Sequence, residues 1–192
     1  MESKSFSIIK TIFLLSFLAI NIPFFVKADS LNQVQNFNID SSYDQLDRSK
    51  IKSTLVDISN KAYFYIEDDY WTELSQSEKD GLVQKINNLS QEFDDNIYPK
   101  LTKAYGSEWN PGIDNDSKVT ILFHLMKKDY AGYFKEKDQY YKQQFPESNE
   151  REMVYVNIYY LDKEIEKSYL SHEFAHLITF NQKNRILGVS ED

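Results

Sequence analysis

Lys118-Val119-Thr120-Ile121-Leu122-Phe123-His124-Leu125 is a nearly continuous apolar run, and Met153-Val154-Tyr155-Val156-Asn157-Ile158 is a second. A strand that is apolar on both faces belongs inside a sheet, where neighbours cover it above and below. Lys61-Ala62-Tyr63-Phe64-Tyr65-Ile66-Glu67 is dense in aromatic and β-branched residues and is stopped by Asp68-Asp69-Tyr70, which predicts a further strand. Between it and the first run, Leu82, Ile86, Leu89 and Phe93 recur at spacings of four and three, and the stripe continues through Ile97 to Leu101. That is one apolar face of a helix lying on the sheet. Ser75 or Ser77 is placed to cap it, Pro99 to kink or split it, and Gly106 to end it. Trp109-Asn110-Pro111-Gly112 opens a turn-rich loop, and Lys127 to Asn149 is aromatic, charged and irregular. A long helix is expected from about Asp162 to Asn181. Strand, helix, strand, loop, strand, helix implies α+β or α/β layering in a single domain without internal repeats.

The composition agrees with one folded unit. The chain has 192 residues, 41% of them apolar, and its 13 Phe, 14 Tyr and 2 Trp supply the bulk of a core. With 30 acidic against 22 basic side chains the net charge is −8, so the basic field that holds phosphate backbones is absent and a nucleic-acid partner is disfavoured. The chain has no cysteine, which excludes disulfide scaffolds, thiolate zinc sites and cysteine nucleophiles. Any metal here must be held by His and carboxylate.

Residues 1–28 read as an address. Lys4 and Lys10 precede the apolar run TIFLLSFLAINIPFFV, and the small residues Val26 and Ala28 suit signal peptidase. The run is interrupted by Asn21 and Pro23 and is short for a membrane helix, which needs about 20 residues. Export with cleavage is the expectation and an uncleaved anchor the alternative; with cleavage the protein is secreted and has no stable membrane association. Asp29 to about Asn60 is rich in Asn, Gln, Ser and Asp, and is expected to be a mobile polar leader with some local structure, or a removable pro-segment.

The predicted C-terminal helix carries His172-Glu173-Phe174-Ala175-His176, the HExxH pattern. Histidines four apart on a helix are separated by about 40° around its axis, close enough for both imidazoles to reach one tetrahedral ion. With His172 at the origin, Leu170, Phe174, Leu177 and Ile178 fall between about 140° and 240°, so the core stripe and the histidine pair do not compete. Glu173 falls near 100°, beside the pair, where its carboxylate can meet a metal-bound water as general base. His172 and His176 are therefore the candidate Zn2+ ligands and Glu173 the candidate catalytic residue.

These residues give the chain a resemblance to the zincin metallopeptidases of the glutamate-third-ligand (gluzincin) type, most of all to bacterial hyicolysin-type neutral zinc peptidases. It covers about Lys61 to the end. It rests on the segment from Ser171 to Gln182, and with less specificity on Gly112 to Leu122 and Asn149 to Val156. The resemblance implies an α+β fold: a mixed sheet with an antiparallel edge strand, a long backing helix and an active-site helix. It implies a secreted zinc endopeptidase acting on polypeptides, with Ala131-Gly132-Tyr133-Phe134 as the edge strand that pairs with an extended substrate through Gly132 and Tyr133. Thr179 and Gln182 stand where metzincins have Gly and their third His, so that group is excluded. The glutamate group takes its third ligand from an Asn-Glu pair about 20 or more residues past the second histidine, and 16 residues follow His176 here. The chain is therefore expected to be truncated before its third ligand, which lies beyond Asp192, and to bind zinc and cleave protein poorly as it stands; Glu191 is the one carboxylate near the right place.

Other features have plainer readings. His124 in an apolar strand is a core or rim residue before it is a ligand. Asp114-Asn115-Asp116 resembles a calcium loop, but Lys118 replaces the third oxygen ligand and the glycine is missing. Tyr130, Tyr133, Tyr140 and Tyr141 either line a peptide groove or pack on one another. Two functions compete with the peptidase: a zincin-like module without catalysis that serves in surface binding or structure, and a non-enzymatic secreted domain with an accidental motif.

Overall fold

The structure is a computed structural model and describes residues 28–161 and 166–188. The expected signal segment falls almost wholly on residues 1–27, outside the described residues, as do the start of the expected C-terminal helix and Glu191. The described elements are β1 (Val34–Asn38), β2 (Lys50–Ile58), β3 (Ala62–Glu67), the single turn α1 (Asp68–Trp71), α2 (Gln76–Glu92), α3 (Tyr98–Tyr105), β4 (Val119–His124), β5 (Gly132–Phe134), β6 (Met153–Asn157) and α4 (Glu166–Phe180). Among the described residues, no helix is long and apolar enough to cross a membrane.

All six strands form one mixed sheet in the order β1-β2-β3-β4-β6-β5. β3, β4 and β6 run parallel at its centre, and every residue of the three is buried. Their near-continuous apolar letters follow from that position, because both faces are covered. β1 and β2 extend the sheet antiparallel on one side, and β5 closes the other side antiparallel to β6. The architecture is α+β.

One face packs on the helices. Phe64, Ile66, Ile121, Phe123, Val154 and Val156 meet Ile86, Leu89 and Phe93 of the long helix and Leu170, Phe174, Leu177 and Ile178 of α4. The Ser75 hydroxyl accepts from the Glu78 N–H while Ser75 N–H donates to the Glu78 carboxylate at 2.8 Å, a capping box that starts α2 where the sequence placed it. Pro99 neither breaks nor ends the helix. The turn before it, Phe93–Ile97, widens to π-helix and the chain runs on into α3 until Gly106 at φ 89°. Proline has no N–H for the carbonyl four residues back and its ring crowds that carbonyl, so a wider turn absorbs both faults without losing the apolar stripe.

The other face corrects the reading of residues 29–60. That stretch is not a mobile leader: it supplies β1, β2 and the buried Phe37, Ile39, Ile51 and Leu55, packed with Tyr63, Tyr65, Leu122, Tyr133 and Tyr155. Even Asp29 is engaged. Its carboxylate pairs with the Arg151 guanidinium and accepts from the Tyr65 hydroxyl at 2.9 Å and from Gln33 at 3.0 Å. Burial pushes the Asp29 carboxyl up, but Arg151, Tyr65 and Gln33 together outweigh it and hold the group below its ordinary value. A carboxyl depressed in the folded state adds stability above its unfolded pKa, near 3.8, and loses it as the pH falls through the lower folded value. Asp29→Asn is therefore expected to cost about 1–2 kcal/mol at pH 7 and less at pH 3, below the unfolded pKa. Urea titrations of both proteins at the two pH values check this; a difference that does not shrink in acid contradicts it.

Candidate metal centre

α4 is amphipathic in the sense that matters here. Leu170, Phe174, Leu177 and Ile178 are fully buried against the sheet, whereas His172 and His176 are exposed on the opposite side. Their rings stand nearly perpendicular, 4.6 Å between centroids, and their Nε2 atoms approach to 3.0 Å. Two nitrogens each about 2.05 Å from a tetrahedral zinc stand about 3.3 Å apart, so a small ring rotation brings this pair to ligating separation. The donor chemistry and the convergence fit a zinc ion. Among the described residues no cluster of three His, Cys, Asp or Glu that could hold a metal is present, so the described residues offer two ligands and no third.

Glu173 lies beside the pair but inside the protein, only 7% exposed. Burial pushes its carboxyl up to about 7. What buries it is the edge strand. A Cβ built on Gly132 of β5 would stand 2.8 Å from Glu173 Cγ and 2.6 Å from the Tyr155 carbonyl oxygen, so only a glycine lets the strand backbone lie this close to the carboxylate stem. Next to His172, a groove of 490 Å³ runs between α4 and the long helix, bordered by Glu92, Asn96, Lys100 and Tyr105.

Of the residues singled out in the sequence, His172 is brought to His176, and Gly132 to Glu173. Tyr133 joins neither pair. Alternation along β5 turns its side chain to the far face of the sheet, where it is 5% exposed and stacked between Tyr155, at 4.2 Å, and Tyr43, at 4.4 Å. In the β5–β6 ladder its backbone groups also face β6 and not the open edge. His124 is fully buried on that same far face, edge-on to both Tyr133 and Tyr155, with Nδ1 3.6 Å from Asp44. The carboxylates of the calcium-like loop are occupied in turns: Asp114 accepts from the Asp116 N–H, and Asp116 from the Lys118 N–H and the Tyr63 hydroxyl. Tyr140 packs on Phe145 and Phe180, and Tyr130 edge-on against Tyr43, while Tyr141 is exposed.

Tyr43 is the residue near the site that sequence reasoning missed. Its hydroxyl is raised above the usual phenol value first by burial, then by Asp40, Tyr130 and, least, the Glu173 carboxylate. Nothing in a polar stretch of Asn, Ser and Asp signalled that position. No protein-family model matches the chain, and no curated protein matches it.

Proposed function

We propose that the protein is a secreted zinc-dependent endopeptidase of zincin type, hydrolysing polypeptides with His172 and His176 as zinc ligands and Glu173 as general base. The single observation that carries the reading is the convergence of two exposed imidazole Nε2 atoms, 3.0 Å apart, one helical step from a buried carboxylate that forms no ion pair among the described residues. Zinc bound there supplies Lewis acidity toward the scissile carbonyl and toward water. Glu173 takes the proton of the attacking water and delivers it to the departing amine nitrogen, and a carboxyl whose pKa sits near 7 suits both transfers. The free edge of β5 holds the substrate as an added strand, with Gly132 setting it over Glu173. The reading requires a third ligand from outside the described residues.

Zinc titration by calorimetry tests the assignment. The unaltered protein is expected to bind one zinc weakly, as a two-ligand site does, His176→Ala to weaken it at least a further tenfold, about 1.4 kcal/mol, and Glu173→Gln to change it less than threefold. Equal affinity in the unaltered protein and His176→Ala overturns the metal centre.

A further inference from the structure

On the face of the sheet away from α4, a cavity of 380 Å³ opens beside β5. It falls within the size range of ligand pockets. Its floor is apolar, made by Ile39, Tyr43 and Tyr133, and its rim carries Asp40, Lys135, Glu136, Lys137 and Glu147. The rim charges do not balance. Lys135 is spent on the buried Asp138 at 3.2 Å and on the carbonyls of Asn38 and Glu147; Lys137 is spent on the Glu147 carboxylate at 2.9 Å. Among the described residues Asp40 and Glu136 form no ion pair. Among the described residues the Asp40 carboxylate accepts only from Ser42, through its N–H at 2.9 Å and its hydroxyl at 2.7 Å. Burial first, and then the carboxylates of Asp138, Asp40 and Asp44 against the opposing bond from the Asp40 N–H, hold the Tyr133 hydroxyl far above the usual phenol value, while Lys137 feels Glu136 and Asp40 only after Glu147.

The cavity also has a register. The Ala131 carbonyl accepts from the Asn157 N–H, so by the alternation of an antiparallel ladder the backbone groups of Gly132 and Phe134 point away from β6, to the open edge. A strand added there alternates its side chains between the Glu173 face and the Tyr43 face. We propose that this cavity is a subsite for a basic side chain, Arg or Lys, of a polypeptide added to β5, its aliphatic stem lying along Ile39 and Tyr43 and its charged head between Asp40 and Glu136. The assignment rests on the strand-addition part of the proposed function. It adds a selectivity that the helix face does not supply, since a long side chain with a cationic end is what an apolar floor under two unpaired carboxylates accepts best.

Fluorescence anisotropy tests it with labelled Thr/Val nonapeptides whose central residue is Arg, norleucine or Glu, in EDTA so that no cleavage interferes. The purified protein is expected to bind the Arg peptide at least tenfold more tightly than the norleucine peptide, and the Glu peptide most weakly. Asp40→Asn with Glu136→Gln keeps the Ser42 contact and is expected to reduce the Arg preference to threefold or less, leaving norleucine affinity unchanged. Equal binding of the three peptides overturns the subsite and leaves strand addition standing. An Arg preference that survives the double substitution overturns its location, and failure of all three peptides to bind overturns the subsite together with strand addition, while the zinc titration judges the metal centre separately.

Discussion

A chain beginning at Lys61 is expected not to fold. β3 is paired with β2 from Tyr63 to Glu67, and without that partner an all-buried central strand becomes an open edge. Phe37, Ile39, Ile51 and Leu55 cover Tyr63, Tyr65 and Leu122 on the helix-free face. Burying four such side chains is worth about 1.5–3 kcal/mol each, together comparable with the whole stability of a domain, about 5–15 kcal/mol. Two buried charges also lose their partners: Glu67, 1% exposed, loses Arg48, and Arg151 loses Asp29. Circular dichroism and urea unfolding decide the matter. A cooperative transition in the shortened protein would restore the idea that residues 29–60 are removable.

Gly132→Ala is expected to destabilise the protein by about 2 kcal/mol and to do so partly through Glu173. The new methyl group meets the Tyr155 carbonyl oxygen at 2.6 Å and Glu173 Cγ at 2.8 Å, both well inside van der Waals contact. The backbone oxygen cannot move without parting β5 from β6, whereas the Glu173 stem can swing outward, toward solvent and away from the histidine pair. Urea midpoints of Gly132→Ala, Glu173→Ala and the double variant separate the two clashes. The double variant is expected to recover about 1 kcal/mol of the cost, because additivity fails for side chains in contact. Strict additivity would mean that the strand does not press on Glu173.

Legibility in the sequence followed burial on both sides. Val119–His124 and Met153–Asn157 announce themselves because nothing polar interrupts them, and the Ser75 to Gly106 helix because its stripe and its ends are all written locally. β2 was illegible for the opposite reason. Its inward residues are Ile51, Ser53 and Leu55, alternating with Lys50, Lys52 and Thr54, and one small hydroxyl in the inward row is enough to hide the period. β1 contributes one buried residue, Phe37, which no periodicity can reveal. At the candidate site the spacing of His172 and His176 on one helical face was readable, as was the glycine in the edge strand. The direction of Tyr133 was not, since it depends on which face of a three-residue strand meets α4, and neither was Tyr43, whose neighbours lie about 90 residues away in sequence.

The segment between β1 and β2 reaches across to β5 at the opposite end of the sheet: Asp40 N–H donates to the Tyr133 hydroxyl, 93 residues further on, and Asp29 waits for Arg151, 122 residues away. During translation, at about 5–20 residues per second, the ribosome delivers Phe37 and Ile39 about 5–25 s before the surfaces that will hide them. The β1–β2 hairpin is thus made well before the strands it packs on and is among the last of the described elements to dock, and through that interval its apolar side chains depend on a chaperone or on dilution to stay out of aggregates.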